Sequence, residues 1–550
     1  MNADEIRATY DRLSRLTVWQ GLHQTARRVP DKVAVVCGER RLTFADVVRE
    51  AEALAAGLAA AGLRQGDVAA VYLPNSAELV TVFYALQRLG VVVAWLNPSY
   101  RETEARFILE NSGAKAVFLF EEWQGFDFLA AVAGLDDLPA LQAIVAVTDR
   151  PDFVSPDPRV RRLADLSGRP ADLARAAEVG PDELSMIIYT SGTTGRSKGA
   201  VILQSQVVRA GWSYSLGVDA TQEDVFIGLL PMAHSYGCGS LLVQPFLLGA
   251  TLVVLDHFSA ERAFALMERE RVTLQLAAPA HYLMELAHPK RREYDLSSVR
   301  AGLIAGQIAP AQLITRVQDE MGIYISSFLG SSEVGPGLSI ILPYRSPLEV
   351  REVYIGYPLE GTAAKVADPV TGAEKKPREP GELLLWGWHV TEGYWKNPEE
   401  TGLQIRDGWL RTGDLVARDE NGCFRILGRL KEWINRGGLK IIPSELESLL
   451  VAHPKVAEVC VVGTPNPILG ESICACVKLV DEEEPLTLAE ARAFVEGKVA
   501  PYKRFDELLL LKEFPRMPGG LKVNRFGRGG VVELAKESPD KQVLPRETAR

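Results

Sequence analysis

A chain of 550 residues exceeds the size at which a single hydrophobic core stops growing, so its length predicts at least two domains. With 47% hydrophobic and 24% charged residues, its composition is that of an ordinary globular protein. The formal net charge of -10 argues against a general nucleic-acid-binding function, which needs a basic face. A small nucleotide could still be bound, because local N–H groups can hold its phosphates.

The first part of the chain alternates strand and helix patterns. Residues 31–44 predict a β-hairpin around Gly38 and Glu39, and residues 45–63 predict a helix because apolar side chains recur at helical spacing. A second helix is predicted at residues 76–90, with strands at residues 67–74, 91–97, 184–190, 250–255, 272–278 and 299–306. This repetition predicts an α/β fold of β-sheets covered by helices.

The segment between Asp224 and Asp256 contains no Asp, Glu, Lys or Arg and is long enough to span a bilayer. Pro231, Pro245 and several glycines break it into short apolar runs, which indicates a buried core rather than a transmembrane segment. The first residues contain no apolar secretory segment. The six cysteines show no zinc-ligand spacing and are expected to pack as reduced side chains; they are Cys37, Cys238, Cys423, Cys460, Cys474 and Cys476. A reducing, cytoplasmic location is therefore predicted.

The character of the chain changes near Gly428. Residues 428–445 are rich in charge and glycine, which is typical of a connection between domains. A helix is predicted to follow, with Ser444 and Glu447 in the positions of a capping box. We therefore predict a large N-terminal domain at residues 1–429 and a small α+β C-terminal domain at residues 430–550.

Small, hydroxylic and cationic residues follow the apolar strand that ends at Ile188. The loop from Tyr189 to Gly199 reads YTSGTTGRSKG. Its glycines let the backbone approach a ligand closely, and its N–H groups and hydroxyls can surround phosphate oxygens, whose charge Arg196 or Lys198 would offset. A flexible Ser/Gly loop is the alternative, but the position directly after a buried strand favours phosphate binding. The spacing is not that of a Walker A loop.

The segment TSGTTGRSKGAV resembles the phosphate-loop signature of the adenylate-forming superfamily of acyl-CoA synthetases, peptide-synthetase adenylation domains and firefly luciferase. Other signatures of that family follow in order: LPMAHSYG at 230–237, LGSSE at 329–333, GELLLWGWHVTEGYWKNPEET at 381–401, TGD at 412–414, GRLKEWINRGGLKIIPSELE at 428–447, YKRFDE at 502–507 and FPRMPGGLKVNR at 514–525. The resemblance extends from about residue 20 to residue 530. It implies an N-terminal domain that binds ATP and a carboxylate, and a mobile C-terminal domain that swings between two half-reactions.

The resemblance also implies roles for residues in the nucleotide motifs. Asp414 would accept hydrogen bonds from the ribose hydroxyls, assisted by Arg429, although an Asp after a glycine in a turn also serves local hydrogen bonding. Glu333 would bind a magnesium ion shared with the ATP phosphates, the alternative being a surface carboxylate. The residues assigned to ATP or AMP are Thr190, Ser191, Gly192, Thr193, Thr194, Gly195, Lys198, Gly330, Ser331, Ser332, Glu333, Asp414 and Arg429.

Three residues are assigned to the carboxylate pocket by the same resemblance: His234, Ser235 and Gly306. His234 would position the acid, although a lone histidine in an apolar stretch is also a common core residue. Lys522 would be the catalytic lysine of the first half-reaction, acting with His234 and Glu333.

The acceptor side is assigned to the C-terminal domain. Lys431 corresponds to the hinge residue, although a charged residue in a linker can be plain solvated surface. Gly437 and Gly438 would pack against the pantetheine arm of CoA, because a bare backbone can approach a narrow ligand.

The sequence departs from the family pattern in three places. The terminal motif of the family reads roughly P-x-T-P-x-G-K, but here Leu521 follows Gly520 and Lys522 comes one place later. Leu329 replaces the aromatic residue expected to stack on adenine. Residues 204–207 read QSQV where the family has T-H-x-N.

The predicted function is that of an ATP-dependent acyl-CoA synthetase, with ATP, Mg²⁺ and CoA as cofactors or co-substrates. Its acid is predicted to be an apolar monocarboxylate, either aryl, cyclic or medium-chain, because residues 234–239, 277–281 and 305–307 offer no cation to a second carboxylate. Loading of a separate carrier-protein phosphopantetheine, and a non-catalytic nucleotide-binding role, remain alternatives. A luciferase-like oxygenation has no residue that argues for it. Nucleic acid is not a predicted partner, and a homodimer is left open.

Overall fold

The computed structural model describes residues 2–150, 152–169, 173, 178–190, 197–306, 308–309, 311–437, 439–517, 523–526 and 529–544. Spatial contacts divide the chain into two compact units. The large unit comprises Met1–Ala364 and Leu385–Leu410, and the small unit comprises Lys365–Leu384 and Arg411–Arg550. Residues 411–429 thus group with the small unit, whereas the sequence interpretation assigns them to the N-terminal domain. A functional hinge near residue 430 stays a prediction.

The large unit contains two mainly parallel β-sheets, as the strand–helix repetition predicts. The first ends in the expected hairpin, in which Val36 pairs with Arg41. Its strands, in spatial order, are Tyr357–Pro358, Ile340–Ile341, Tyr324–Leu329, Ala301–Ile304, Leu274–Ala277, Val225–Gly228, Thr251–Val254, Val33–Cys37 and Arg40–Thr43. The second sheet has, in order, Lys198–Leu203, Leu184–Thr190, Val92–Trp95, Val68–Tyr72, Ala116–Phe120, Ala143–Val147 and Val160–Arg162.

The helix Ala77–Leu89 shows how the two sheets share a core. Ser76 caps its first turn by accepting a hydrogen bond from the Leu79 N–H at 3.0 Å, and Gly90 ends it in the left-handed conformation. Every residue of the helix except Glu78 and Arg88 is buried. It contacts strands of both sheets, which is the position expected of a helix that is apolar on all sides.

The other helices of the large unit cover these sheets or connect their strands. They are Ala3–Leu13, Val18–Arg28, Phe44–Ala60, Glu102–Ser112, Phe128–Ala133, Gln204–Ser213, Ser215–Val218, Ser235–Gly237, Gln244–Leu248, Ala260–Arg269, Pro279–Ala287, Ala311–Met321, Leu348–Arg351 and Pro398–Gln404, with a π-helical turn at Cys238–Val243 and 3₁₀ turns at Leu163–Asp165 and Arg291–Glu293. Within the described ranges, no helix is long and apolar enough to cross a membrane. The uncharged stretch after Asp224 forms two strands and short helical segments in the core, as predicted.

The small unit is an α+β domain. Its six-stranded sheet runs Leu439–Ile441, Ile434–Arg436, Gly470–Leu479, Glu507–Leu510 and Gln542–Val543, with Val456–Asn466 also paired to Gly470–Leu479. Its helices are Pro443–Leu450, Leu488–Val495 and Val531–Glu537, with 3₁₀ turns at Leu430–Glu432 and Pro501–Lys503. Cys474 and Cys476 pack in the core with Cys460, which confirms the predicted role of these thiols.

The remaining strands lie where the chain passes from one unit to the other. They are Thr362–Ala367, Gly381–Gly387, Ile405–Arg406, Trp409–Arg418 and Phe424–Arg429, and the unit boundaries fall inside three of them. A separate two-stranded ribbon pairs Glu122–Trp123 with Phe126–Asp127 in the large unit. Mixed α/β architecture with one large and one small unit is the predicted fold class, and it is confirmed.

Two local predictions are wrong. The helix that follows the linker starts at Pro443, so Ser444 lies inside its first turn and donates to the Leu427 carbonyl instead of capping. Glu447, on this helix, accepts a hydrogen bond at 2.7 Å from the N–H of Val461, which lies on the strand Val456–Asn466. Asp414 lies inside the strand Trp409–Arg418 rather than in a turn. At the helix, contacts with distant elements outweigh the local pattern, because buried polar groups take the partners that the packed chain brings to them.

Candidate active site

Four of the predicted motifs begin where parallel strands of the large unit end. The phosphate loop follows Leu184–Thr190, the histidine motif follows Val225–Gly228, Gly306 follows Ala301–Ile304 and the LGSSE motif completes Tyr324–Leu329. In open α/β sheets, ligands bind at the carboxyl ends of the strands. The fold therefore places these motifs where a ligand site is expected.

The phosphate loop is described only at its two ends. Ser191, Gly192, Thr193, Thr194 and Gly195 lie outside the described residues. Thr190 and Lys198 face each other across an antiparallel pair. The Lys198 ammonium forms an ion pair with Glu400, which lowers the pKa of that carboxyl below its ordinary value. Lys198 therefore lies at the described end of the loop, and a carboxylate partly offsets its charge.

The strand that leaves the phosphate loop is locked to the segment 391–395. The Trp395 N–H donates to the Gly199 carbonyl at 2.7 Å, and the Val201 N–H donates to the Gly393 carbonyl at 3.1 Å. The Thr391 hydroxyl donates to the Val201 carbonyl at 2.7 Å. These bonds join two motifs that lie almost 200 positions apart in the chain.

Glu333 reaches the same segment. Its Oε1 accepts a hydrogen bond from the Tyr394 hydroxyl at 2.9 Å, and its carbonyl accepts one from the Thr391 N–H at 2.8 Å. The Lys198 ammonium lies 5.6 Å from the centre of the Tyr394 ring. Burial, reinforced by the neighbouring Glu333 carboxylate, raises the pKa of Tyr394. Lys198, Tyr394 and Glu333 therefore form one continuous polar cluster beside the end of the phosphate loop.

The LGSSE motif depends on a close backbone approach. A Cβ added to Gly330 would lie 1.8 Å from the Gly337 carbonyl oxygen, so no other residue fits there. Ser332 follows in the buried interior, and its hydroxyl lies 3.5 Å from that of Ser235. The structure thereby brings the LGSSE motif against the histidine motif, with Ser331 and Glu333 half-buried on either side of Ser332.

His234 begins the short helix Ser235–Gly237, and its Nδ1 accepts a hydrogen bond from the Tyr236 N–H at 3.3 Å. The imidazole is exposed, so it is not a buried core residue. The Tyr236 ring behind it packs on Phe328, with centroids 4.7 Å apart, and its hydroxyl donates to the Leu303 carbonyl at 3.1 Å. Gly306 is also exposed and adopts the left-handed conformation. It follows the strand Ala301–Ile304, which is separated in the sheet from Val225–Gly228 by the strand Leu274–Ala277.

Three residues of this region were missed by sequence reasoning. Buried Asn75 donates to the Leu230 carbonyl at 2.8 Å and accepts from the Met232 N–H at 2.8 Å, so it holds the segment that leads to His234. The signal was a polar residue directly after a buried strand, in YLPNS. Tyr394 and Glu400 lay in a matched motif, but only their contacts reveal what they hold.

The small unit contains the other predicted nucleotide residues. The Arg429 Nε lies 2.7 Å from an Asp414 oxygen, on paired positions of two antiparallel strands. The Asp414 N–H donates to the Thr412 hydroxyl at 3.0 Å, and the Gly413 N–H donates to Glu382 at 3.3 Å. Asp414 is buried beside the half-exposed Arg429, so its carboxylate is oriented by a cation from within the same unit.

The hinge and acceptor residues also belong to the small unit. Lys431 sits in the 3₁₀ turn Leu430–Glu432, and its ammonium lies 5.8 Å from the centre of the Phe526 ring. Gly437 adopts a left-handed conformation, and its N–H donates to the Leu469 carbonyl at 2.6 Å. Gly438 and Lys522 lie outside the described residues.

The described flanks of the loop that carries Lys522 form a short stem. Arg516 and Val523 make an antiparallel bridge, and the Asn524 N–H donates to the Pro515 carbonyl at 2.7 Å. The extra residue of the terminal motif falls between Arg516 and Lys522, on the upstream side of the lysine. Val523, the residue that follows Lys522 in the sequence, is therefore paired with Arg516.

Comparisons with known proteins agree with the resemblance described above. Residues 22–395 match the family model for AMP-binding enzymes, and residues 445–520 match the model for the C-terminal domain of AMP-binding enzymes. The medium-chain fatty-acid–CoA ligase of Escherichia coli strain K12 is 33% identical over 514 residues, which cover 92% of this chain and 88% of that protein. The mitochondrial medium-chain acyl-CoA ligase ACSF2 of Mus musculus is 30% identical over 549 residues, covering 94% and 88%.

The solved structures that resemble this chain include aryl-CoA ligases. The anthranilate CoA ligase AuaEII, solved in complex with anthranoyl-AMP, superposes with a TM-score of 0.83 at 25% identity, over 93% of this chain and 96% of that one. The o-succinylbenzoate CoA synthetase of Bacillus subtilis, solved with its acyl-adenylate, gives a TM-score of 0.77 at 26% identity, over 94% and 99%. The resemblance and the fold class predicted from the sequence are confirmed.

Proposed function

This chain belongs to the AMP-binding enzyme family, and we propose that it is an ATP-dependent acyl-CoA synthetase, an AMP-forming acid–thiol ligase. It converts a carboxylic acid, ATP and CoA into acyl-CoA, AMP and pyrophosphate through an acyl-adenylate. The observation that carries the proposal is the cluster of Lys198, Tyr394 and Glu333 at the end of the phosphate loop, against the motif that holds His234. An ammonium, a phenol hydroxyl and a carboxylate beside the loop that follows a parallel strand suit a nucleoside triphosphate.

In the first half-reaction, a carboxylate oxygen attacks the α-phosphorus of ATP and pyrophosphate leaves with the bond electrons. Both reactants are anionic, so positive groups and N–H donors must offset charge in the transition state. We assign this task to the phosphate loop, Lys198 and Lys522. His234, exposed at the N-cap of the helix Ser235–Gly237, positions the acid, with Ser235 and Gly306 in the carboxylate pocket. Asp414, oriented by Arg429, holds the ribose hydroxyls.

Magnesium is the cation that this chemistry calls for, and the residues present fit it. Glu333 is a half-buried carboxylate, a hard oxygen ligand of the kind that Mg²⁺ prefers. Among the described residues, no group of three or more His, Cys, Asp or Glu side chains could hold a metal alone. When bound, the ion would neutralise phosphate charge, and Tyr394 would hold the Glu333 carboxylate in place.

In the second half-reaction, the CoA sulfur attacks the acyl carbon, AMP leaves, and the thiol proton passes to solvent. We assign the pantetheine contact to Gly437 and Gly438, and the change between half-reactions to rotation about Lys431. Gly437 already adopts the left-handed conformation, which a side chain would strain. Its N–H bond to Leu469 holds that turn against the central sheet of the small unit.

The acid is proposed to be an apolar monocarboxylate, with medium-chain fatty acids first and aryl acids second. Buried Ala277 and Ala305 lie in segments that the sequence assigns to the acid pocket, and buried Phe328 packs on Tyr236, two residues after His234. These side chains suit a hydrocarbon body. The E. coli and mouse relatives act on medium chains by their names, and the structurally similar ligases act on aryl acids.

The decisive experiment measures AMP release by the purified protein across straight-chain acids of rising length and a set of aryl acids, with and without CoA. We expect AMP and thioester to appear together only when CoA is present. A stable adenylate that does not react with CoA would contradict thioester formation with CoA and favour loading of a carrier protein. No ATP consumption with any acid would contradict the enzymatic function altogether. A cytoplasmic location and a homodimer remain predictions that fractionation and light scattering would check.

A further inference from the structure

Arg525, three residues after Lys522, is the centre of a buried charged cluster in the small unit. Its Nη2 donates to Glu447 at 2.7 Å and its Nη1 donates to the Val461 carbonyl at 2.5 Å. Its Nε lies 3.9 Å from a Glu432 oxygen. The arginine side chain is only 18% exposed, as is that of Glu447. A guanidinium with three separate partners in a mostly buried site is held in one geometry.

The partners of Arg525 lie on a helix, on a central strand and in the predicted hinge turn of the small unit. Glu447 lies on the helix Pro443–Leu450, and Val461 lies on a central strand. Glu432 belongs to the hinge turn Leu430–Glu432, next to Lys431, which itself contacts the Phe526 ring. Burial alone lowers the pKa of the arginine, but the carboxylates of Glu447 and Glu432 raise it above its ordinary value. Two consecutive residues, 525 and 526, are thus tied to two consecutive residues of the hinge turn.

The backbone on the far side of Arg525 is fixed as well. The Val532 N–H donates to the Arg525 carbonyl at 3.0 Å, and the Val531 N–H donates to the Asn524 carbonyl at 2.9 Å, at the start of the helix Val531–Glu537. Together with the Arg516–Val523 bridge, these bonds anchor the chain immediately downstream of Lys522. On the upstream side of the lysine, Arg516 donates to Glu458 at 2.6 Å, so that side is attached to the strand Val456–Asn466 by a partly exposed ion pair, whereas the Arg525–Glu447 pair is mostly buried.

We propose that Arg525 is a positioning residue for adenylate formation: it fixes the downstream side of the Lys522 loop to the helix residue Glu447 and to the hinge residue Glu432. This inference rests on the proposed function. Lysine could replace the arginine only in part, since it lacks the planar fork with which the guanidinium donates to Glu447 and to the Val461 carbonyl in fixed directions.

The test compares the two half-reactions in Arg525→Met and Arg525→Lys, using the best acid of the panel. Adenylation is followed by acid-dependent exchange of pyrophosphate into ATP, and thioester formation is followed from synthetic acyl-adenylate and CoA. We expect adenylation to fall about 100-fold in Arg525→Met, because a displacement of about 1 Å at a catalytic group costs that much. Thioester formation should stay close to the wild-type rate, and Arg525→Lys should recover only part of the adenylation.

Because Arg525→Met leaves Glu447 buried without its cation, Glu432→Gln provides a milder second variant. It removes only the partly exposed hinge-side carboxylate, so the domain should fold, and adenylation should fall about 2- to 5-fold with thioester formation retained. Lys541→Met is the matched control, since it removes a similarly buried pair with Glu507, 2.9 Å apart, on the opposite edge of the same sheet. It should lower the melting temperature without changing the ratio of the two rates.

An equal loss of both half-reactions in Arg525→Met and Glu432→Gln, matching the effect of Lys541→Met, would overturn the positioning role and leave a purely structural one. Unchanged adenylation in folded Arg525→Met would overturn it as well. These outcomes differ from failure of the proposed function, in which the wild-type protein itself would form no adenylate with any acid.

Discussion

Two loops carry the proposed chemistry, and they are held at their ends in different ways. The phosphate loop of the large unit leaves one strand and enters the next, so that Thr190 and Lys198 are paired by backbone and the outgoing strand is bonded to residues 393 and 395. The segment that contains Lys522, in the small unit, has a short stem and is otherwise anchored through the side chains of Arg516 and Arg525. The first attachment is built into a sheet, and the second depends on a few charged groups.

The difference fits the separate tasks proposed for the loops. In the proposed mechanism the nucleotide occupies the phosphate loop in both half-reactions, which a permanent attachment of that loop would serve. The proposed mechanism uses the lysine in only one half-reaction, so its segment can be attached by contacts that include the predicted hinge turn. Damage to the first region should therefore affect both half-reactions, whereas damage to the second should separate them.

The largest effect is expected for Lys522→Ala. Loss of the Lys522 ammonium should lower adenylation by about 100-fold or more, because the removal of a single donor to a developing charge costs that much. Thioester formation from supplied acyl-adenylate should be largely spared. Lys512→Ala, which removes an exposed lysine ten positions upstream, is the control. Normal adenylation in Lys522→Ala would show that another cation does this work.

Glu333→Gln should reduce adenylation by about 10- to 100-fold, since it replaces a charged oxygen ligand by a neutral one. The concentration of magnesium needed for half-maximal rate should rise at the same time. Titration with MgCl₂ at saturating ATP measures both effects. Glu392→Gln removes an exposed carboxylate from the segment that binds the phosphate-loop strand and should leave the magnesium requirement unchanged. An unaltered magnesium requirement in Glu333→Gln would remove this residue from the metal site.

Tyr394→Phe should have a smaller effect, about 3- to 10-fold, because it deletes one hydrogen bond to the Glu333 carboxylate and leaves the ring in place. Both half-reactions should slow together, in contrast to the separation expected for Lys522→Ala. The rates of adenylation and of thioester formation, measured separately in this variant, test this expectation. Loss of adenylation alone would mean that the large unit does not serve both steps equally.

A third region, remote from both loops in its contacts, should change stability and not activity. Glu285, fully buried on the helix Pro279–Ala287, accepts bonds from the Gln275 amide nitrogen at 2.7 and 2.9 Å. Burial raises its pKa from 4.5 to about 8. A carboxyl with a raised pKa stabilises the fold at low pH, and this contribution is lost as the pH rises towards the folded-state value.

Glu285→Gln replaces the titrating carboxyl by a neutral amide, so the variant does not lose stability as the pH rises. The variant should therefore gain roughly 2–4 kcal/mol in the free energy of unfolding relative to the wild type, an advantage that grows between about pH 4.5 and pH 8 and is constant above. Urea unfolding at pH 5, 7 and 9 measures it. The exposed Glu349→Gln should show no such dependence. A difference between Glu285→Gln and wild type that does not vary with pH would mean that Glu285 titrates normally.

Much of the fold could be predicted from local patterns. The alternation of apolar residues identified the hairpin at residues 33–43, the helix after Ser76 and the strands that lead into the motifs, because secondary structure near a core follows from periodicity. The order of motifs along the chain identified the family. These properties depend on residues close in sequence or on the order of the motifs, so they can be predicted from a single amino-acid sequence.

Tertiary structure alone decided which side chains hold these motifs. Ser444 and Glu447 match a capping box locally, yet Glu447 bonds to Val461 and to Arg525, 78 positions away. Asn75 supports the segment before His234, and Tyr394 orients Glu333, from positions that no local pattern connects. A buried polar group takes whichever partner the packed chain brings to it, because an unsatisfied one is costly, and those partners are set by the fold rather than by sequence spacing.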